Sequence, residues 1–124
     1  MMNHATFAGM PQPLKDAYLT INHDTAALLN MFHKDVYRMQ TFKDWTDKEI
    51  KSIAAPTLLI AGDKDVITPE HAVAMHRLIS NSQLAILPGG HGSYLGEITT
   101  LSNGKWTQEY ASALIEQFLD APGK

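Results

Sequence analysis

The sequence predicts an α/β fold built on a βαβ unit of parallel strands with flanking helices, and three observations carry that reading. The run Thr57 to Ala61, "TLLIA", has no polar residue after its first position, the pattern of a strand covered on both faces in a parallel sheet. Thr68 and Pro69 are the residue types of a helix N-cap and first helical position, and Ala72, Met75 and Ile79 share one face of a helix to about Ser80. "QLAILP", residues 83–88, supplies a second strand. A helix of this length between two strands joins them in parallel by a right-handed crossover.

Before this unit the pattern is helical. Residues 1–22 are broken by Gly9, Pro11 and Pro13, after which Leu14, Ala17 and Tyr18 have helical spacing, so a short helix is expected. Asp24 caps a helix to about Gln40 whose stripe is Leu28, Phe32, Val36 and Met39. In "WTDKEI", Thr46 and Glu49 have capping-box spacing, and Trp45 with Ile50 sits where a hydrophobic staple closes a first turn. That predicts a short helix over 47–53, stopped by Pro56, which drives the residue before it out of helical conformation. After the second strand, Gly89 and Gly90 break the pairing. A last helix is expected from about Thr107 to Leu119, burying Tyr110, Leu114, Ile115 and Phe118, with "APGK" as a frayed tail. There is no internal repeat, low-complexity tract or domain linker, so residues 1–124 read as one domain.

Composition restricts the function classes. The 124 residues are 44% hydrophobic and 19% charged, ordinary for a globular protein, and no apolar run approaches the roughly 20 residues of a membrane helix. A net charge of -3 without a Lys/Arg block gives no electrostatic footprint for nucleic acid or anionic lipid. With no cysteine there is neither a disulfide nor a thiol nucleophile, and the N-terminus lacks the basic-then-apolar order of a secretory signal. The cytoplasm is the expected compartment.

The chemistry-bearing candidates lie just past the strands. Asp63 and Asp65 follow the first strand and His91 follows the second. Adjacent parallel strands put their carboxyl ends about 5 Å apart, at the sheet edge where α/β proteins bind ligands. A carboxylate there accepts the proton on one ring nitrogen of the histidine and stabilises the imidazolium formed when the other nitrogen takes a proton. The bland alternatives are an acid that caps the next helix and a histidine that is a plain loop residue. His71 and His76 are five apart, about 140° around a helix at 3.6 residues per turn, so they cannot grip one metal. His4, His23 and His33 have no partner at ligand spacing. Glycines 89, 90 and 92 match no phosphate-binding fingerprint and serve to turn the backbone and aim His91. Met10, Tyr94 and Trp106 are candidates for lining an acyl or aromatic pocket, or simply core.

Residues 55–97, "APTLLIAGDKDVITPEHAVAMHRLISNSQLAILPGGHGSYLGE", resemble the part of the α/β-hydrolase fold that carries its seventh and eighth strands. In that family the catalytic acid stands at the third position after a strand-ending glycine. Counting from Gly62, the resemblance implies Asp65 as acid, and the "GGHG" histidine implies His91 as base. Asp63 is then a solvated loop acid, and Asp65 is expected to hydrogen-bond His91 directly. Helices to residue 53 resemble the family's cap region, so the expected organisation is a cap-like helical region over 1–53 and the C-terminal part of an α/β-hydrolase core over 54–124. The fold expected on this ground is a partial α/β-hydrolase fold.

One departure limits the activity the resemblance implies. The family's nucleophile sits in a G-x-S-x-G elbow, and no such motif occurs here. Ser93 has His91 where the first glycine belongs and no strand leading into it, and reads as a loop or helix-cap hydroxyl. The expected function is an α/β-fold hydrolase of an ester, lactone or similar carbonyl substrate, with Asp65 and His91 catalytic, no metal and no cofactor. It is inactive until a partner segment supplies nucleophile and oxyanion hole. The alternatives are a truncated, non-catalytic module used for binding or assembly, and an Asp65/His91 pair working alone as general acid and base. The resemblance also leaves the 57–61 strand without a neighbour on one side. A two-fold homodimer pairing these strands antiparallel, or exchanging segments, is therefore expected.

Overall fold

A computed structural model of the chain describes residues 5–100 and 109–121. The chain divides into two compact units, Met1–Asp44 and Trp45–Lys124.

The first unit is helical. A 3-10 turn at Phe7–Gly9, capped by Thr6, leads into α1 (Gln12–Ile21). The three residues Gly9, Pro11 and Pro13 that break the pattern leave α1 intact, because Pro11 is its N-cap and Pro13 lies in its first turn, where a missing N–H costs nothing. Ten residues is more helix than the sequence suggested. In α2 (Thr25–Thr41) the Asp24 carboxylate accepts the Ala27 N–H at 3.0 Å, the expected cap. Helices α1 and α2 pack together, and Phe7 meets Phe32 edge-on with centroids 5.6 Å apart while Lys15 Nζ lies 5.0 Å from the Phe7 centroid. Of the expected stripe, Leu28 is buried and Phe32 and Val36 are half-buried, but Met39 is 50% exposed. The stripe loses its cover in the last turns of α2.

The second unit holds the sheet. It opens with α3 (Asp47–Lys51), whose capping box is complete: Glu49 N–H donates to Thr46 Oγ1 at 3.3 Å, and the Thr46 N–H donates to the Glu49 carboxylate at 2.7 Å. Those Thr46 bonds, backbone first and then hydroxyl, hold the Glu49 carboxyl below its ordinary value against a small opposing effect of burial. The expected staple does not bury Trp45, which is 63% exposed. Strand β1 (Thr57–Gly62) and strand β2 (Ser82–Leu87) are parallel, in the register Thr57↔Ser82 through Gly62↔Leu87, and α4 (Pro69–Leu78) connects them and packs on both. This is the predicted βαβ unit, a mixed α/β arrangement whose sheet has two strands among the described residues.

Thr68 Oγ1 accepts the His71 N–H, and Ala72 and Ile79 are buried, as the face pattern required. At the other end of α4 the Ser82 hydroxyl donates to the Ile79 carbonyl at 2.7 Å and takes His76 Nδ1 at 2.8 Å, tying helix end to strand start. One expectation fails: Thr57 to Ile60 are only half-buried, and burial begins at Ala61. A two-stranded sheet is too narrow to bury both faces of either strand.

The last helix, α5 (Glu109–Asp120), packs against the turn at Ser93–Leu95. Its buried residue is Ala111, whereas Tyr110 is 44% exposed and Leu114, Ile115 and Phe118 are half-buried. The inward face is thus the predicted one at Leu114, Ile115 and Phe118, with Ala111 in place of Tyr110 in the first turn. The expected start at Thr107, Trp106, His4 and most of the "APGK" tail lie outside the described residues. Among the described residues no helix is long and apolar enough to cross a membrane.

Candidate active site

The βαβ register sets the site. Because Gly62 pairs with Leu87, the residues that follow each strand emerge side by side. The ladder runs one step further than the strands: Asp63 N–H donates to the Leu87 carbonyl at 2.8 Å. Pro88 has no N–H, so Gly89 is the next donor. Its N–H goes to the side chain of Asp63, at 2.7 Å from Oδ1. The return bond, from Lys64 N–H to the Gly89 carbonyl, is 3.0 Å. Asp63 is exposed, as expected of a solvated loop acid, and its carboxylate has a further role that was not expected: it clamps the loop that carries the histidine. The register and Pro88 together were the signal for that clamp.

Two glycines make the close approach possible. A Cβ on Gly62 would collide with the backbone carbonyl oxygens of Gly89 and Gly90, and Gly89 itself has φ 125°, a conformation that L side chains rarely adopt. The acid loop and the histidine loop therefore touch backbone to backbone.

On this platform Asp65 and His91 meet. His91 Nδ1 lies 3.1 Å from Asp65 Oδ1 and 3.1 Å from Oδ2, the expected direct hydrogen bond. Asp65 Oδ1 also accepts the Ile67 N–H at 3.0 Å, a local turn that orients the carboxylate independently of the histidine. The Asp65 side chain is 4% exposed and that of His91 is 69% exposed, so the acid is enclosed and the base reaches outward. The Ile67 N–H, more than any other group, holds the Asp65 carboxyl below its ordinary value. Burial works against it, and the hydrogen bond and charge of His91 and the Val66 N–H add to the lowering.

An ionised carboxylate at Nδ1 makes that nitrogen the donor, which leaves the lone pair of the neutral ring on Nε2. Among the described residues Nε2 has no hydrogen-bond partner. The arrangement can take a proton at Nε2 and stabilise the resulting imidazolium through Asp65.

Two neighbours hold the histidine loop in place. Tyr94 donates its hydroxyl to the Ile60 carbonyl of β1 at 3.1 Å, and burial first, then the negative charge of Asp65, raise its phenol above the ordinary value. Its place as an anchor was not read from the sequence, where a lone Tyr after a glycine loop carries no pattern. Ser93 Oγ donates to the Gly90 carbonyl at 3.0 Å at the start of the 3-10 turn, so its proton is committed to the backbone. That is the loop-cap hydroxyl expected of it. Among the described residues no group of three or more His, Asp or Glu side chains is placed to hold a metal ion. Met10 lines a cleft of about 450 Å³ in the first unit, with Pro11, Met31, Phe32 and Asp35.

No protein-family model, curated protein or solved structure matches this chain.

Proposed function

We propose that this chain carries the acid and the base of an α/β-fold serine hydrolase, Asp65 and His91, and becomes competent when a segment bearing a G-x-S-x-G elbow and an oxyanion hole completes it. One observation carries the reading: an enclosed carboxylate bridging both its oxygens to Nδ1 of a histidine whose other nitrogen faces outward, at the carboxyl ends of two adjacent parallel strands. The resemblance of residues 55–97 to the last strands of the α/β-hydrolase fold supports the assignment of roles. The substrate is an ester, lactone or similar carbonyl compound. The same two loops carry Val66, 85% exposed, with Ile67, Leu95 and Ile98 also exposed, a setting suited to an uncharged, apolar substrate group.

By itself the chain lacks the nucleophile that such a pair activates, and Ser93 already spends its proton on Gly90. On activated esters the purified chain is expected to show no turnover above that of free imidazole. Adding a separately produced strand–elbow–helix segment is expected to give turnover that disappears in His91→Ala and falls steeply in Asp65→Asn. Stoichiometric phosphonate labelling of Ser93 in the chain alone would contradict this proposal. Turnover in the completed protein that survives His91→Ala would do so equally.

A further inference from the structure

We infer that two copies of this chain join through the outer edge of β1, pairing antiparallel to give a four-stranded sheet of order β2-β1-β1-β2. The inference goes beyond the proposed chemistry and does not depend on it. In the parallel register, Thr57, Leu59 and Ala61 turn their backbone groups toward β2, as the flanking bonds from Thr57 N–H to Asn81 and from Asp63 N–H to Leu87 show. Leu58, Ile60 and Gly62 therefore present theirs to the opposite side, where the sheet has no further strand among the described residues. Among the described residues no hydrogen bond reaches the N–H of Leu58 or Ile60. The Gly62 carbonyl takes the Asp65 N–H and the Ile60 carbonyl takes Tyr94, and a carbonyl oxygen has a second lone pair to give.

An edge with two unpaired N–H groups, and carbonyls that each have a lone pair to give, selects an extended backbone as its occupant. A second β1 fits by length and by side chain. With the two-fold axis at Leu59, Leu58 and Ile60 of one copy exchange hydrogen bonds with Ile60 and Leu58 of the other, and Leu59 faces Leu59, so the central pairs are apolar. Gly62, whose carbonyl is already engaged by the acid loop, falls outside the central pairs. The stretch Leu58–Ala61 has none of the devices that guard an edge, neither a charge nor a proline nor a bulge. The outer edge of β2 carries two polar residues, Ser82 and Gln83, where β1 carries one, Thr57, and in either pairing a proline, Pro88 or Pro56, stands in the outermost pair. Two strands alone make a marginal sheet, and doubling it continues the β1–β2 ladder across the axis.

The chain has no cysteine, so single-cysteine variants report the axis directly. In light scattering at micromolar concentration the unaltered protein is expected at twice the monomer mass. In hydrogen exchange, the Leu58 and Ile60 amides should be protected and should lose that protection on dilution, while those of Leu84 and Ile86 exchange quickly. Under mild oxidation Leu59→Cys should form a covalent dimer and Leu84→Cys should not. The exchange measurement needs no substitution and stands even where a variant fails to fold. A monodisperse monomer, a polydisperse aggregate, or protection and cross-linking at Leu84 and Ile86 instead would each overturn the inference.

Discussion

The carboxyl end of the sheet and the outer edge of β1 belong to the same strand and are treated in opposite ways. At the carboxyl end the two loops are tied by paired polar groups: Asp63 with Gly89, Lys64 N–H with Gly89, Asp65 with Ile67 and His91, Ser93 with Gly90. Along the outer edge the Leu58 and Ile60 amides have none among the described residues. The difference shows which geometry this segment specifies internally. The Asp65–His91 pair is held by contacts made within residues 57–97, whereas the outer edge of β1 has no strand beside it among the described residues.

The contrast can be broken most severely at Gly62. Gly62→Ala forces a methyl group into the Gly89 and Gly90 carbonyls, which are backbone and cannot swing aside. A loss of about 3 kcal/mol is expected, with the His91 ring displaced from Asp65, measured by denaturant unfolding and by the imidazole NMR signals. A smaller effect is expected at the clamp. Asp63→Ala leaves the Gly89 N–H without its acceptor and should cost about 1–2 kcal/mol, while Asp63→Asn, which keeps a side-chain oxygen, should recover part of it. Tyr94→Phe removes only the bond to Ile60 and should cost about 1 kcal/mol. If the Asp63 and Tyr94 variants unfold no more easily than the parent, these contacts do not hold the loop.

The pH response sharpens the same comparison. The Asp65 carboxyl is lowered on folding, so its contribution to stability is complete above the ordinary aspartate range and is lost as pH falls through the folded value, below about 4. The stability gap between the parent and Asp65→Asn should therefore shrink on acidification below that point in matched thermal melts. A gap that is constant from neutral to acid pH would mean that folding leaves the Asp65 carboxyl at its ordinary value.

Much of this was legible in the sequence, and what escaped is instructive. The strands, α4, the α2 cap and the α3 capping box follow from local chemistry: an apolar run, a Thr-Pro start, an Asp or Thr at a cap. That an acid of the 63–65 loop meets His91 was readable because a βαβ unit brings consecutive strand ends together whatever its sequence, while the choice of Asp65 over Asp63 came from the resemblance to the α/β-hydrolase fold. Burial was less legible. Periodicity says which residues share a face but not how wide the surface beneath is, so Met39 and Tyr110 were placed inside and are not. Asp63 and Tyr94 were missed for another reason. Each satisfies a backbone group contributed by a residue more than twenty positions away, and such a match appears only once the strand register is fixed.

The central claim, that Asp65 sets His91 as a base, is tested most directly by the nitrogen NMR shifts of the His91 ring in the neutral form. The structure requires the proton on Nδ1 and a bare Nε2, with the Nδ1 proton strongly shifted downfield by its carboxylate and with that shift lost in Asp65→Asn. A neutral ring protonated at Nε2, or signals unchanged by Asp65→Asn, would contradict it.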